Sequence, residues 1–147
     1  MVIDETRTTN TTLSLDQRVK MEWKKTYDFF ISFHRNAFKP EIGTGAEVYV
    51  YKTANVKSKS LAAKIQNALV RVGFRDRGVK EAEYYVLKHT KAPALLLEVG
   101  FIDNSADNKL YDAKFEAIVD GIANAVLDVV GVKKNNSCPT CGQKVGI

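Results

Sequence analysis

The sequence predicts an α/β layer fold: a mostly parallel, twisted sheet with helices on both faces. Short apolar runs of strand length, FFISF (29–33), EVYVY (47–51) and ALLLEVGF (94–101), alternate with segments of 3.6-residue period. Strands separated by helices pack as a sheet between helical layers. The 147 residues are 45% hydrophobic and 27% charged, the size and composition of one domain with a real core.

In chain order, the first element is a helix from about Leu15 to Thr26. Ser14 and Gln17 stand at capping-box spacing, and Leu15, Val19 and Met21 or Trp23 supply one apolar face. The run from Phe29 to His34 barely alternates, so it reads as a strand buried on both faces, and Ala46 to Tyr51 reads as a second strand rich in β-branched and aromatic residues. KPEIGTG (39–45) between them has loop chemistry.

From Ser58, at the expected N-cap, Leu61, Ile65, Leu69 and Val72 mark an amphipathic helix that stops at Gly73. Ala94 to Phe101, after Pro93, is another strand. Phe115, Ile118, Val119, Ile122, Val126 and Val129 then mark a long helix closed by Gly131. This places a domain over 1–131 and a polar linker or tail over 132–147, with Cys138 and Cys141 in a CPTC turn.

Twenty-two Lys and Arg against seventeen Asp and Glu give a net charge of +5, which favours anionic partners without naming one. No apolar run approaches the roughly 20 residues that a membrane helix needs. MVIDETRTTN has neither the basic nor the apolar segment of a signal peptide, so synthesis in the cytoplasm is expected. Two cysteines are too few for a disulfide scaffold. The pair Cys138 and Cys141 is a possible separate metal pair: half of a zinc knuckle, the remnant of a further module, or an exposed pair without a role.

In a parallel sheet, ligands gather at the carboxyl ends of the strands. His34 follows FFISF and Glu98 follows ALLL, so the two share a rim if their strands run parallel. An imidazole there binds a metal or moves protons, and a carboxylate half-shielded by Leu97 and Phe101 has its pKa lifted towards that of a general base. Each residue also has a plain structural reading, a satisfied histidine and a capping or ion-paired glutamate, and the residues alone leave both open.

A larger pattern adds to this. TRT (6–8), SLDQRV (14–19), FISFHRNA, from Phe30 to Ala37, GAEVYVY (45–51), SLAAKIQNAL (60–69), RGVKEAEYYVLKHT (77–90) and PALLLEVGFIDNSAD (93–107) together resemble the zinc-dependent N-acetylmuramoyl-L-alanine amidases of bacterial autolysins and phage endolysins, over about residues 6 to 131. The resemblance implies that His34 is a Zn2+ ligand and Glu98 the catalytic carboxylate. The implied reaction hydrolyses the amide between the lactyl group of N-acetylmuramic acid and the L-alanine of the stem peptide. Asn36, Glu47, Arg77 and Lys80 fall in family blocks and are expected to line the substrate site or support it.

The pattern departs from the family at its start. Members begin with a strand carrying a histidine in an H-G-G loop and a helix carrying a glutamate, which complete a His, Glu, His zinc site. Neither block is present, so the resemblance implies a domain lacking its first strand-helix unit, on the order of 30 residues. Only His34 is assigned of the three protein ligands that a catalytic zinc takes. His89, in VLKHT, is expected to be a surface or strand-edge histidine rather than a substitute ligand.

The expected partners are peptidoglycan and anionic wall polymers, with action at the cell wall, no nucleic acid and no membrane span. A sheet lacking a strand is also expected to self-associate. A non-catalytic peptidoglycan-binding module is the alternative. A basic zinc-ribbon protein that binds nucleic acid is disfavoured by the lack of an Arg/Lys-dense stripe or aromatic platform.

Overall fold

The computed structural model describes residues 2–132. Its elements are α1 (Leu15–Glu22), β1 (Phe30–Asn36), β2 (Ala46–Val50), α2 (Val56–Val72), β3 (Asp76–Glu81), α3 (Tyr85–His89), β4 (Ala94–Phe101), α4 (Ser105–Ala113) and α5 (Phe115–Val130). The strands form one sheet in the order β1-β4-β2-β3. Strand β1 is parallel to β4 and β2 is parallel to β3, but the central β4–β2 pair is antiparallel. The sheet is therefore mixed, with two of its three pairings parallel, and helices cover both faces.

Alternation along the strands sorts side chains to the two faces. Val48, Val50, Leu95, Leu97 and Val99 meet Leu61, Ile65 and Leu69 of α2 and Ile118, Ile122 and Ala125 of α5 in the main core. Burying each of the larger aliphatic side chains contributes about 1.5–3 kcal/mol. On the opposite face a smaller cluster joins Val19 of α1, Val86 and Leu87 of α3, and Phe30, Ala94 and Leu96 of the sheet. Helices α1 and α3, of eight and five residues, are too short to cover that face completely. The uncovered end is where β1 and β4 finish and β2 and β3 begin.

Several local expectations hold and several are corrected. The capping box of Ser14 and Gln17 forms in both directions, with Gln17 Oε1 accepting from the Ser14 amide at 2.8 Å. Helix α1 nevertheless ends at Glu22, short of Thr26. Helix α2 starts two residues before Ser58, because Asn55 is its N-cap and accepts from the Ser58 amide. Gly131 closes α5 in the left-handed conformation, with φ 75°.

Strand β1 is not buried on both faces. It lies at the edge of the sheet, and past Phe30 it meets a helix through Arg35, which contacts Asn108 and Tyr111 of α4, while Phe33 is left 61% exposed. Elements β3, α3 and α4 had no periodic signal strong enough to be anticipated. The CPTC pair, Cys138 and Cys141, lies outside the described residues. Among the described residues no helix is long and apolar enough to cross a membrane.

Candidate active site

The parallel register of β1 and β4 sets His34 directly beside Glu98, and the antiparallel register of β2 and β4 sets Glu47 on the other side of Glu98. All three lie on the sheet face that α1 and α3 leave open. His34 and Glu98 thus come together as their positions at strand ends led one to expect. The antiparallel β2 brings Glu47 to the same rim from its amino-terminal end.

His34 is exposed, and its Nε2 lies 2.9 Å from the Ser32 hydroxyl, two residues earlier on the same strand face. Partial loss of hydration, with a smaller contribution from the Arg18 charge, pushes its pKa below the ordinary value. At neutral pH the ring is neutral and keeps a lone pair for a ligand or proton. Glu98 is half-buried, and its Oε2 is a buried atom with no hydrogen-bond partner among the described residues. Burial, reinforced by the charge of Glu47, raises its pKa to about 7.

Glu47 has the opposite character although it is only 1% exposed. Burial pushes its pKa up, but hydrogen bonds from Lys80, Arg77 and Tyr49 outweigh that and hold it below the ordinary value. Arg77 Nε donates to Oε2 at 2.8 Å, Lys80 Nζ binds the same oxygen, and Tyr49 Oη and Asn36 Nδ2 donate to Oε1 at 2.9 and 2.7 Å. A buried carboxylate with four donors is ionised and fixed in place. Glu47 is therefore a buried anchor for the side chains of Asn36, Tyr49, Arg77 and Lys80. Two carboxylates on neighbouring strands are thus driven apart in pKa by their surroundings, as in sites where one stays charged and the other trades a proton.

Tyr49 was not anticipated as part of this cluster. The signal was the i, i+2 spacing of Glu47 and Tyr49, which puts both on one face of β2. Asp107 was missed as well, and it ties the rim together: its carboxylate accepts from the Gly45 and Phe101 amides and the Thr44 hydroxyl. His89 lies at the end of α3, exposed, with its ring 4.3 Å from that of Tyr85. It does not join the site.

A catalytic zinc takes three protein ligands. Among the described residues no three His, Cys, Asp or Glu side chains converge to hold a metal ion. His34 and the unpartnered Glu98 oxygen give a donor pair at most. The described residues therefore do not fit a self-contained zinc site, and the remaining ligands of any such site must come from elsewhere.

Comparison with known proteins bears on the same residues. Residues 2–128 match the family model described as N-acetylmuramoyl-L-alanine amidase. The chain is 40% identical over 127 residues to N-acetylmuramoyl-L-alanine amidase LytC of Bacillus subtilis, covering 83% of this chain and 25% of that one. It is 37% identical over 132 residues to N-acetylmuramoyl-L-alanine amidase CwlM of Bacillus licheniformis, covering 88% of this chain and 51% of the relative. The chain thus spans a quarter of the length of the first relative and about half of the second. The crystal structure of N-acetylmuramoyl-L-alanine amidase from Clostridium difficile 630 superimposes with a TM-score of 0.79 at 32% identity, over 86% of this chain and 70% of that one.

Proposed function

The chain belongs to the N-acetylmuramoyl-L-alanine amidase family, and from that premise we propose that it forms the Glu98 side of a peptidoglycan amidase site acting at the cell wall. The bond cleaved is the amide between the lactyl carbonyl of N-acetylmuramic acid and the amino group of L-alanine. The observation that carries this reading is the pairing of His34 with Glu98 at one open rim, with Glu98 lifted to about 7.

Amide hydrolysis needs a group that takes a proton from water and returns one to the leaving amine. Both transfers are efficient when that group's pKa lies near the working pH. Glu98, half ionised near neutrality, accepts the proton as water adds to the carbonyl carbon and delivers it to the alanine nitrogen as the C–N bond breaks. Its free Oε2 is the atom available for the transfer. Glu47, held ionised by Lys80, Arg77, Tyr49 and Asn36, keeps Glu98 from losing its proton too early, and the four donors keep Glu47 from moving towards it.

The family is zinc-dependent, and His34 is assigned as one ligand. Among the described residues no three donors converge with it to hold a metal ion. The positive net charge suits adhesion to anionic wall polymers.

The reading is tested with purified peptidoglycan and zinc, scoring new alanine amino termini. The 147-residue chain alone is expected to release almost none. The same chain preceded by the strand-helix unit that the family resemblance implies is expected to be active, and to lose activity on His34→Ala. An extended protein that stays inactive on every wall tested, or a His34→Ala variant with full activity, would overturn the assignment.

A further inference from the structure

Next to the paired residues, a cleft of about 340 Å³ opens at the same rim, lined by Asn36, Phe38, Ile42, Gly43, Arg77 and Phe101. Its volume is at the small end of the range for ligand sites. One wall is the loop 37–45, which is anchored along its length. Phe38 N donates to Asp103 Oδ2 at 2.8 Å, Glu41 N to the Asp103 carbonyl at 2.9 Å and Gly45 N to Asp107 Oδ2 at 2.9 Å, while the Glu41 carboxylate accepts from Ser105 N. Glu41 takes a left-handed φ of 62°, a conformation that costs a non-glycine residue about 1–2 kcal/mol.

Gly43 packs so closely that a Cβ there would lie 2.4 Å from the Phe101 ring. This well-tied loop nevertheless leaves Phe38 62% and Ile42 66% exposed. Anchors of that kind would serve folding better if they turned those side chains inward. Here they hold two apolar side chains in solvent at the lip of the cleft.

The opposite wall is Arg77. Its Nε is committed to Glu47 and its guanidinium carbon lies 5.0 Å from the centre of the Phe101 ring, which fixes the plane of the group. Its two terminal amino groups have no hydrogen-bond partner among the described residues. Lys80 shares the Glu47 carboxylate with it, so two cations face one anion and a positive charge remains unmatched. A fixed guanidinium with its outer edge unused is shaped for bidentate recognition of a carboxylate.

We infer that this cleft is the subsite for the peptide side of the substrate: Arg77 reads a carboxylate of an acidic peptide, and Phe38 and Ile42 hold the small apolar side chain beside it. The identity of that peptide as the leaving group rests on the amidase reading, since Asn36 lies two residues beyond His34. Arg77 is thus a specificity-determining residue, acting on the substrate away from the bond that breaks.

The test is an amide-detected NMR titration of the 147-residue chain, in chelator, with N-acetyl-L-alanyl-D-glutamate and with its neutral diamide. Saturable shifts are expected at Phe38, Ile42, Gly43 and the Arg77 Nε–H, with the diamide binding about tenfold more weakly through loss of the charged hydrogen bonds. Arg77→Lys, which retains a cation for Glu47, should abolish the preference for the acid. Phe38→Ser should weaken both ligands alike. Equal affinity for acid and diamide, or shifts confined to other surfaces, would overturn the inference. The titration involves neither metal nor turnover, so its failure leaves the amidase reading intact. Loss of hydrolysis beside a normal titration would count against the reaction and not the subsite.

Discussion

Glu98 and Glu47 show how one residue type acquires two chemistries from its neighbours. Glu98 has a folded pKa of about 7 against an ordinary 4.5, chiefly through burial. A carboxyl whose folded pKa is raised contributes its full stability below about pH 4.5, where both states are protonated, and loses it as pH rises through about 7. In chelator, Glu98→Gln is therefore expected to raise the melting temperature relative to the parent above neutrality, with the gain shrinking as the pH falls towards 4.5. A difference of the same size at all pH values would show that ionisation is not the cause. Glu47→Gln should have two effects: a clear loss of stability, since Lys80 and Arg77 lose their buried anion, and a downward shift in the Glu98 titration followed by side-chain carboxyl NMR. An unchanged Glu98 titration would remove Glu47 from its proposed role.

At the scale of elements, the rim depends on how loops are tied to strand ends. Asp107, 4% exposed on α4, satisfies the amides of Gly45 and Phe101 and the Thr44 hydroxyl at once. Asp107→Ala leaves two amides buried without partners and should cost about 3 kcal/mol in chemical denaturation. A loss below about 0.5 kcal/mol would mean that water replaces the carboxylate. Elements of strong period were legible in the sequence: Leu61, Ile65 and Leu69 announce α2, and Ile118 and Ile122 announce α5. Strand β3, DRGVKE, was not, because its side chains serve the polar cluster and not the core, so alternation of apolar residues is missing. Glu98 and His34 were legible as strand-end residues, whereas Asp107 and the loop it holds were not, since Asp107 reaches Gly45 and Thr44 across 62 and 63 residues of sequence. The antiparallel turn of β2 was likewise invisible in its own residues, because AEVYV reads the same in either direction of pairing.

For the whole molecule, the sheet ends on β1, whose outer backbone groups face no strand among the described residues and whose Phe33 is largely exposed. Such an edge is a template for pairing with another chain. We predict that the 147-residue chain self-associates with rising concentration in size-exclusion chromatography and that Phe33→Lys suppresses this; a concentration-independent monomer would refute it. The same edge adjoins the rim where His34 stands beside Glu98. In the proposed reaction Glu98 moves the proton of amide hydrolysis. The most direct test is the turnover of zinc-loaded protein, this chain preceded by the implied strand-helix unit, with Glu98 and with Glu98→Gln on the same peptidoglycan. The Glu98→Gln protein is expected to show a fall in kcat of about 100-fold or more at unchanged zinc content and wall binding. A Glu98→Gln protein that turns over at the parent rate would contradict it.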